Sequence, residues 1–148
     1  MMKRVCMTLV GMLLASTALG DDVRFYPMAA DTERSWPFSE AVRVDNLLFL
    51  SGMLGNKPGT SELVPGGIGP ETRQTLENIR DAILRHGGSM DRVAKCTVFL
   101  ADIAEWGAMN AVYVEFFPTN RPARSALGAS GLALGARVEI ECIAVVKD

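Results

Sequence analysis

The sequence predicts a single α+β domain: one sheet of about six strands with two helices packed on one face. Three observations lead there. Two helical stretches alternate with extended apolar runs in the order strands, helix, strand, helix, strands. The runs are bounded by Gly, Pro or Asp, as strands are. No internal repeat or linker divides the chain, and residues 56–69 are the one long irregular stretch.

Each element has a local reason. A short strand is expected over Val23 to Tyr26, then Ala41 to Val44 and Leu47 to Leu50, joined through Asp45-Asn46 as a hairpin turn. From Pro70 to Leu84, Leu76, Ile79 and Ile83 fall on one face of a helix that Gly87-Gly88 ends, with His86 at its C-cap. The polar residues of 73–78 read as that helix's solvent face. Val93 to Leu100 is the next strand. A second helix starts at Asp102, with Glu105 as capping-box partner, and carries Trp106, Met109, Tyr113 and Phe116 as a core stripe until Pro118. Ala123 to Leu127 and Arg137 to Val146 complete the sheet. The last strand alternates Val138, Ile140, Cys142, Ala144 and Val146 with Glu139, Glu141, Ile143 and Val145, so both of its faces become apolar further along. With helices on one face only, further copies of the chain are the simplest cover for the other, which predicts a homo-oligomer.

Residues 1–20 read as a secretion signal: a basic start at Lys3-Arg4, an apolar run from Val5 to Ala15, and small residues at Ala18 to Gly20. The folded domain is then residues 21–148, periplasmic or secreted, with no stable membrane association after cleavage. An uncleaved anchor is the competing reading. Removing the segment takes away Lys3 and Arg4 and no acid, moving the formal charge from −2 to −4. An acidic domain without a basic run gives no footing for nucleic acid or an anionic membrane. Cys96 and Cys142 lie inside apolar strand-like runs and read as buried free thiols in preference to a bridge. No Cys/His cluster has metal-ligand spacing, and His86 is the only histidine.

The chemistry concentrates at the C-terminal end. Arg121-Pro122-Ala123-Arg124-Ser125 precedes Val138-Glu139-Ile140-Glu141-Cys142, which places an arginine and two carboxylates on what read as neighbouring extended segments. A guanidinium on a stiff strand can meet a carboxylate through two parallel charged hydrogen bonds. It can equally pair with Glu139 or Glu141 as a structural ion pair. Glu139 reads as a candidate base or as a solvated strand end, and Ser51-Gly52 as a cleft wall or a strand terminator. Arg121 and Glu141 read as rim charges.

These blocks, together with Leu50-Ser51-Gly52, residues 73–78, Lys95 to Leu100 and residues 109–113, resemble the RidA (YjgF/YER057c/UK114) family over nearly the whole mature chain. The resemblance implies a chorismate-mutase-like fold, a homotrimer with clefts between subunits, and hydrolysis of reactive enamines and imines to 2-keto acids and ammonia without metal or organic cofactor. It assigns Arg124 to the substrate carboxylate, Glu139 to the attacking water, Ser51 and Gly52 to the cleft wall, and Asn110 to its vicinity. Phe38 stands where many members carry tyrosine. Met53 replaces a common polar residue, Ala126 a cysteine, and residues 128–135 lack the usual Val-Ala-Arg-Leu-Pro-like sequence. These departures imply a more apolar pocket and a substrate side chain larger or less polar than that of 2-aminoacrylate. A non-catalytic module that binds small carboxylates in the same cleft is the alternative; a nuclease is disfavoured by the acidic charge and the lack of a basic, aromatic groove.

Overall fold

The computed structural model of the chain describes residues 22–28 and 36–147; the expected secretion signal lies outside them. Its strands are β1 (Val23–Pro27), β2 (Ser39–Val44), β3 (Leu47–Leu50), the two-residue β4 (Met53–Leu54), β5 (Val93–Leu100), β6 (Ala123–Gly128) and β7 (Val138–Val145). Two helices, α1 (Ile68–Arg85) and α2 (Trp106–Phe116), complete the expected α+β pattern. The strands form one mixed sheet in the order β1-β2-β3-β7-β5-β6, and β4 pairs with β7 beyond the end of β3. It has seven strands rather than six, because β4 is too short to leave a periodic signal.

One expectation is corrected by this order. Arg124 and the two glutamates lie on β6 and β7, which are not neighbours: β5 runs between them, parallel to β6 and antiparallel to β7. The α2 crossover connects β5 to its parallel neighbour, as a parallel pair requires.

Helix α1 covers the sheet with Leu76, Ile79, Ala82 and Ile83, all fully buried against Val98, Ile140 and Ala144 of the core cluster. Burying each leucine or isoleucine of this face contributes about 1.5–3 kcal/mol. The helix ends where the glycines predict. Gly87, at φ 81°, donates to Leu84 O and Gly88 to Ile83 O, which satisfies the last carbonyls in a Schellman arrangement. His86 is the C-cap residue, but its side chain does not serve the carbonyls. Its Nε2 lies 3.0 Å from Glu40 Oε2, and its ring stacks on Tyr26 at 4.1 Å. Glu40, only 5% exposed, is thereby held by both His86 and Arg85. Residues 73–78 are not simply a solvated face either: Thr75 is buried, and Asn78 donates to Leu54 O and Asn56 O, tying α1 to β4.

At the other helix, Asp102 caps as expected, accepting from Ala104 N at 2.9 Å, but it opens a single 3-10 turn that leads into α2. Glu105 is not a capping-box partner, because its carboxylate is taken by the Arg137 guanidinium.

The cysteine expectation is also corrected. Cys96 and Cys142 are directly opposed across β5 and β7, both on the helix-covered face, and are joined as a disulfide. Register decides this, and two apolar strand-like runs carry no register until they are paired. The opposite face of the sheet bears a cross-strand row of Phe25, Val42, Phe49 and Ile143, with Phe25 and Phe49 exposed. An apolar row of this kind on an open sheet face marks an association surface.

Candidate functional site

Arg124 is the second residue of β6, directly opposite Cys96, whose side chain is buried beneath the helices. Paired residues on adjacent strands point to the same face, so the Arg124 side chain rises toward α2. There its Nη1 donates to Asn110 Oδ1 at 2.8 Å, and its guanidinium carbon sits 4.6 Å from the Tyr113 ring centre and 5.5 Å from that of Trp106. No carboxylate reaches it among the described residues, so the structural ion pair with Glu139 or Glu141 is not formed. A guanidinium carries five N–H donors in a fixed fork, and Asn110 takes one of them. What remains is a half-buried cation, held in place by neutral groups, with donors left for an incoming carboxylate or similar planar anion.

The aromatic stripe on α2 therefore does more than fill the core. Met109 and Tyr113 are buried as expected, but Trp106 stays 43% exposed and, with Asn110 and Tyr113, lies along Arg124. Burial pushes the Tyr113 phenol up to about 12, so the ring under the cation stays neutral.

Glu139 occupies the other face. It is opposite Phe99 of β5 and Leu54 of β4, and its neighbours Val138 and Ile140 are the ones turned into the core. Its carboxylate presses against Gly52: a Cβ built on Gly52 would lie 2.0 Å from Glu139 Oε1. Any side chain there would displace the Glu139 carboxylate, so Gly52 leaves the acid the room it occupies. Burial pushes the Glu139 carboxyl above its ordinary value, and the neighbouring Glu141 charge adds to the shift. Beside Gly52, Ser51 donates its hydroxyl to Ser39 O at 2.6 Å, which leaves its oxygen free to accept. Phe38, just before β2, packs against Trp36 with ring centres 5.5 Å apart. Both line a cleft of about 680 Å³ together with Met53, Leu54 and Leu134.

The structure thus assembles the residues singled out in the sequence into two groups. Arg124 and Asn110 stand on the helix side, while Glu139, Ser51 and Gly52 stand at the β3–β4 end on the other side. Their β5 partners, Cys96 and Phe99, are three residues apart, about 10 Å along the strand and on opposite faces. Within one chain the arginine and the glutamate cannot hold the same small molecule. Trp106 and Tyr113 were assigned to the core from sequence. Their four-and-three spacing with Asn110 is legible as a helix stripe, but what that stripe meets depends on where β6 lies.

The chain thus carries a cationic half-site and an acidic half-site on opposite faces of one α+β sheet. The family model described as Endoribonuclease L-PSP matches residues 29–146, and the chain belongs to this family, that of the YjgF/RidA proteins. A goat (Capra hircus) relative, 2-iminobutanoate/2-iminopropanoate deaminase, is 45% identical over 109 residues, covering 74% of this chain and 80% of the relative. The crystal structure of the yeast protein YEO7 superposes with a TM-score of 0.76 at 35% identity, over 85% of this chain and all of that one. The crystal structure of E. coli TdcF with bound serine gives 0.71 at 30% identity, over 82% and 94%.

Proposed function

We propose that the protein hydrolyses the imine and enamine forms of 2-amino acids to 2-keto acids and ammonia, at sites built from Arg124 of one copy and Glu139 of another. The observation that carries this reading is the Arg124 guanidinium, half-buried, oriented by Asn110 and free of any carboxylate among the described residues. Relatives named as deaminases of 2-iminobutanoate and 2-iminopropanoate support the reaction, and a relative holding serine supports an amino-acid-like ligand. The apolar row on the open sheet face supports association, which we take to be a homotrimer.

In the proposed reaction the substrate carboxylate lies in the Arg124 fork. The imine carbon is already electrophilic, so the protein's task is to position a water and move protons. Glu139 takes a proton from the water as its oxygen bonds to the carbon of the protonated imine and the C=N electron pair moves to nitrogen, giving a carbinolamine. The same carboxyl returns that proton to the nitrogen and, as the C–N bond breaks, takes the hydroxyl proton, so that ammonia leaves and the keto group remains; the carboxyl then releases the proton to solvent. A raised carboxyl is suited to both halves of that transfer. No step requires a metal or an organic cofactor. The apolar side chains of Phe38 and Met53, where polar ones are common in the family, favour substrates with a side chain bulkier or less polar than that of 2-aminoacrylate. We further take the protein to be exported, as residues 1–20 suggest; the Cys96–Cys142 disulfide suits an oxidising compartment.

The test supplies purified protein with an imine generated in situ by an amino-acid oxidase. Keto acid is expected to appear much faster than with the Arg124→Ala variant. Equal rates would defeat the proposal, and carboxylate binding without turnover would select a binding module instead.

Glu139 gives a prediction with two signs. Its raised carboxyl means that ionisation costs the folded state something. That cost is absent at low pH and sets in as pH rises through the ordinary glutamate value of 4.5 toward the folded one. Glu139→Gln removes it, so the melting temperature at pH 7 is expected to rise slightly, with the difference vanishing below about pH 4. The same variant is expected to lose about a hundredfold or more in kcat, the usual worth of a general base. Calorimetry and imine kinetics on one preparation check both signs.

A further inference from the structure

Helix α2 turns three side chains toward Arg124: Trp106, Asn110 and Tyr113, at spacings of four and three, which places them along one stripe of the helix. We propose that Trp106 is a positioning residue for the Arg124 anion anchor, holding the plane of the guanidinium so that its free edge faces the incoming carboxylate. The inference rests on the reading of Arg124 as that anchor.

The three contacts differ in kind. Asn110 fixes a single donor, Nη1, and a single hydrogen bond leaves the guanidinium free to pivot about it. Tyr113, 5% exposed, supplies a ring on the core side of the cation, 4.6 Å away. Trp106 supplies the other ring from the start of α2, 5.5 Å away and 43% exposed, so it is the contact on the solvent-accessible part of the site. Trp is the strongest of the ring partners for a cation, and a guanidinium that is stacked keeps its in-plane donors unobstructed. Arg124 lies on β6, an edge strand of the sheet, so no further strand confines its side chain. Removing the indole would leave the charge in place and loosen its direction.

A contact of this type is worth about fivefold to tenfold in the affinity it supports. Trp106→Leu is therefore expected to raise KM for a 2-imino acid, and the dissociation constant for 2-oxobutanoate, by about that factor, with kcat within about twofold of the unaltered protein. Trp106→Phe, which keeps a π face, is expected to recover most of the loss. Both variants should melt close to the unaltered protein, because Trp106 is not a core residue. An independent readout is the Arg124 Nε–Hε resonance in nitrogen-15 spectra: the ring current of Trp106 should displace it in the unaltered protein and in Trp106→Phe, and Trp106→Leu should move it toward the ordinary arginine position.

Trp106→Phe as defective as Trp106→Leu, a loss confined to kcat, or an Arg124 resonance indifferent to Trp106→Leu would each overturn the proposal. If the unaltered protein neither binds 2-oxobutanoate nor releases keto acid, the anchor reading itself fails. The resonance would still report whether Trp106 holds Arg124.

Discussion

Arg124→Ala is expected to lower kcat/KM for 2-imino acids by about a hundredfold to a thousandfold, with the loss also visible as weaker binding of 2-oxobutanoate. The estimate comes from the geometry. The guanidinium is half-buried between rings, its carbon 4.6 Å from the centre of Tyr113, where a charge pair is screened less than in open water. Truncating one member of such a hydrogen-bonded pair costs about 2–5 kcal/mol, and each 1.4 kcal/mol is tenfold. Arg124→Lys should fall between the two: it keeps the charge but gives up the fork and much of the stacking. Asn110→Ala should cost less again, since it removes one neutral contact to Nη1 and leaves the cation in place. Titration calorimetry with 2-oxobutanoate and imine kinetics measure all three. A loss below about threefold for Arg124→Ala would mean that the carboxylate binds elsewhere.

Losing the Cys96–Cys142 disulfide is expected to destabilise the fold by about 4 kcal/mol, from the entropy of closing a loop with a sequence separation of 46. In a chain of this size that is a fall of about 10–15 °C in melting temperature. The bond ties β5 to β7, the centre of the sheet, and sits in the same cross-strand row as Arg124, so its loss should loosen the strand that positions β6. Both cysteines are essentially unexposed, 0% and 2%, so a thiol reductant should leave the native protein unchanged and act only after unfolding. Calorimetry on a chain beginning at Asp21, oxidised and then reduced in denaturant and refolded, isolates the bond without altering packing. Two free thiols in the denatured, unreduced chain would refute it, as would a difference below about 1 kcal/mol.

Much of the fold was legible in the chain because it rests on periodicity and punctuation. Leu76, Ile79 and Ile83 mark the buried face of α1, Gly87-Gly88 its end, and Asp45-Asn46 the β2–β3 hairpin, all within a residue or two of where the structure has them. Pairing was not legible. Nothing in residues 123–127 or 138–146 says that β5 lies between them, and that insertion decides three other facts. It sets Cys96 opposite Cys142, it turns Arg124 toward α2, and it sends Glu139 to the other face because its partner Phe99 is an odd number of residues from Cys96. The residues of the candidate site were thus named as a set by their resemblance to a family, while their division into two groups on opposite faces belongs to the sheet order. Trp106 escaped notice for the same reason: an aromatic stripe reads as core until the strand it faces is known.

The most direct test of the two-half-site account is complementation between Arg124→Ala and Glu139→Gln, each unfolded, mixed in equal amounts and refolded together. If one site takes its arginine from one copy and its glutamate from another, random association restores about a quarter of the sites, and the mixture should recover about a quarter of the unaltered activity while each variant refolded alone stays near background. A mixture no more active than the average of the two variants would contradict the account and return both residues to separate roles.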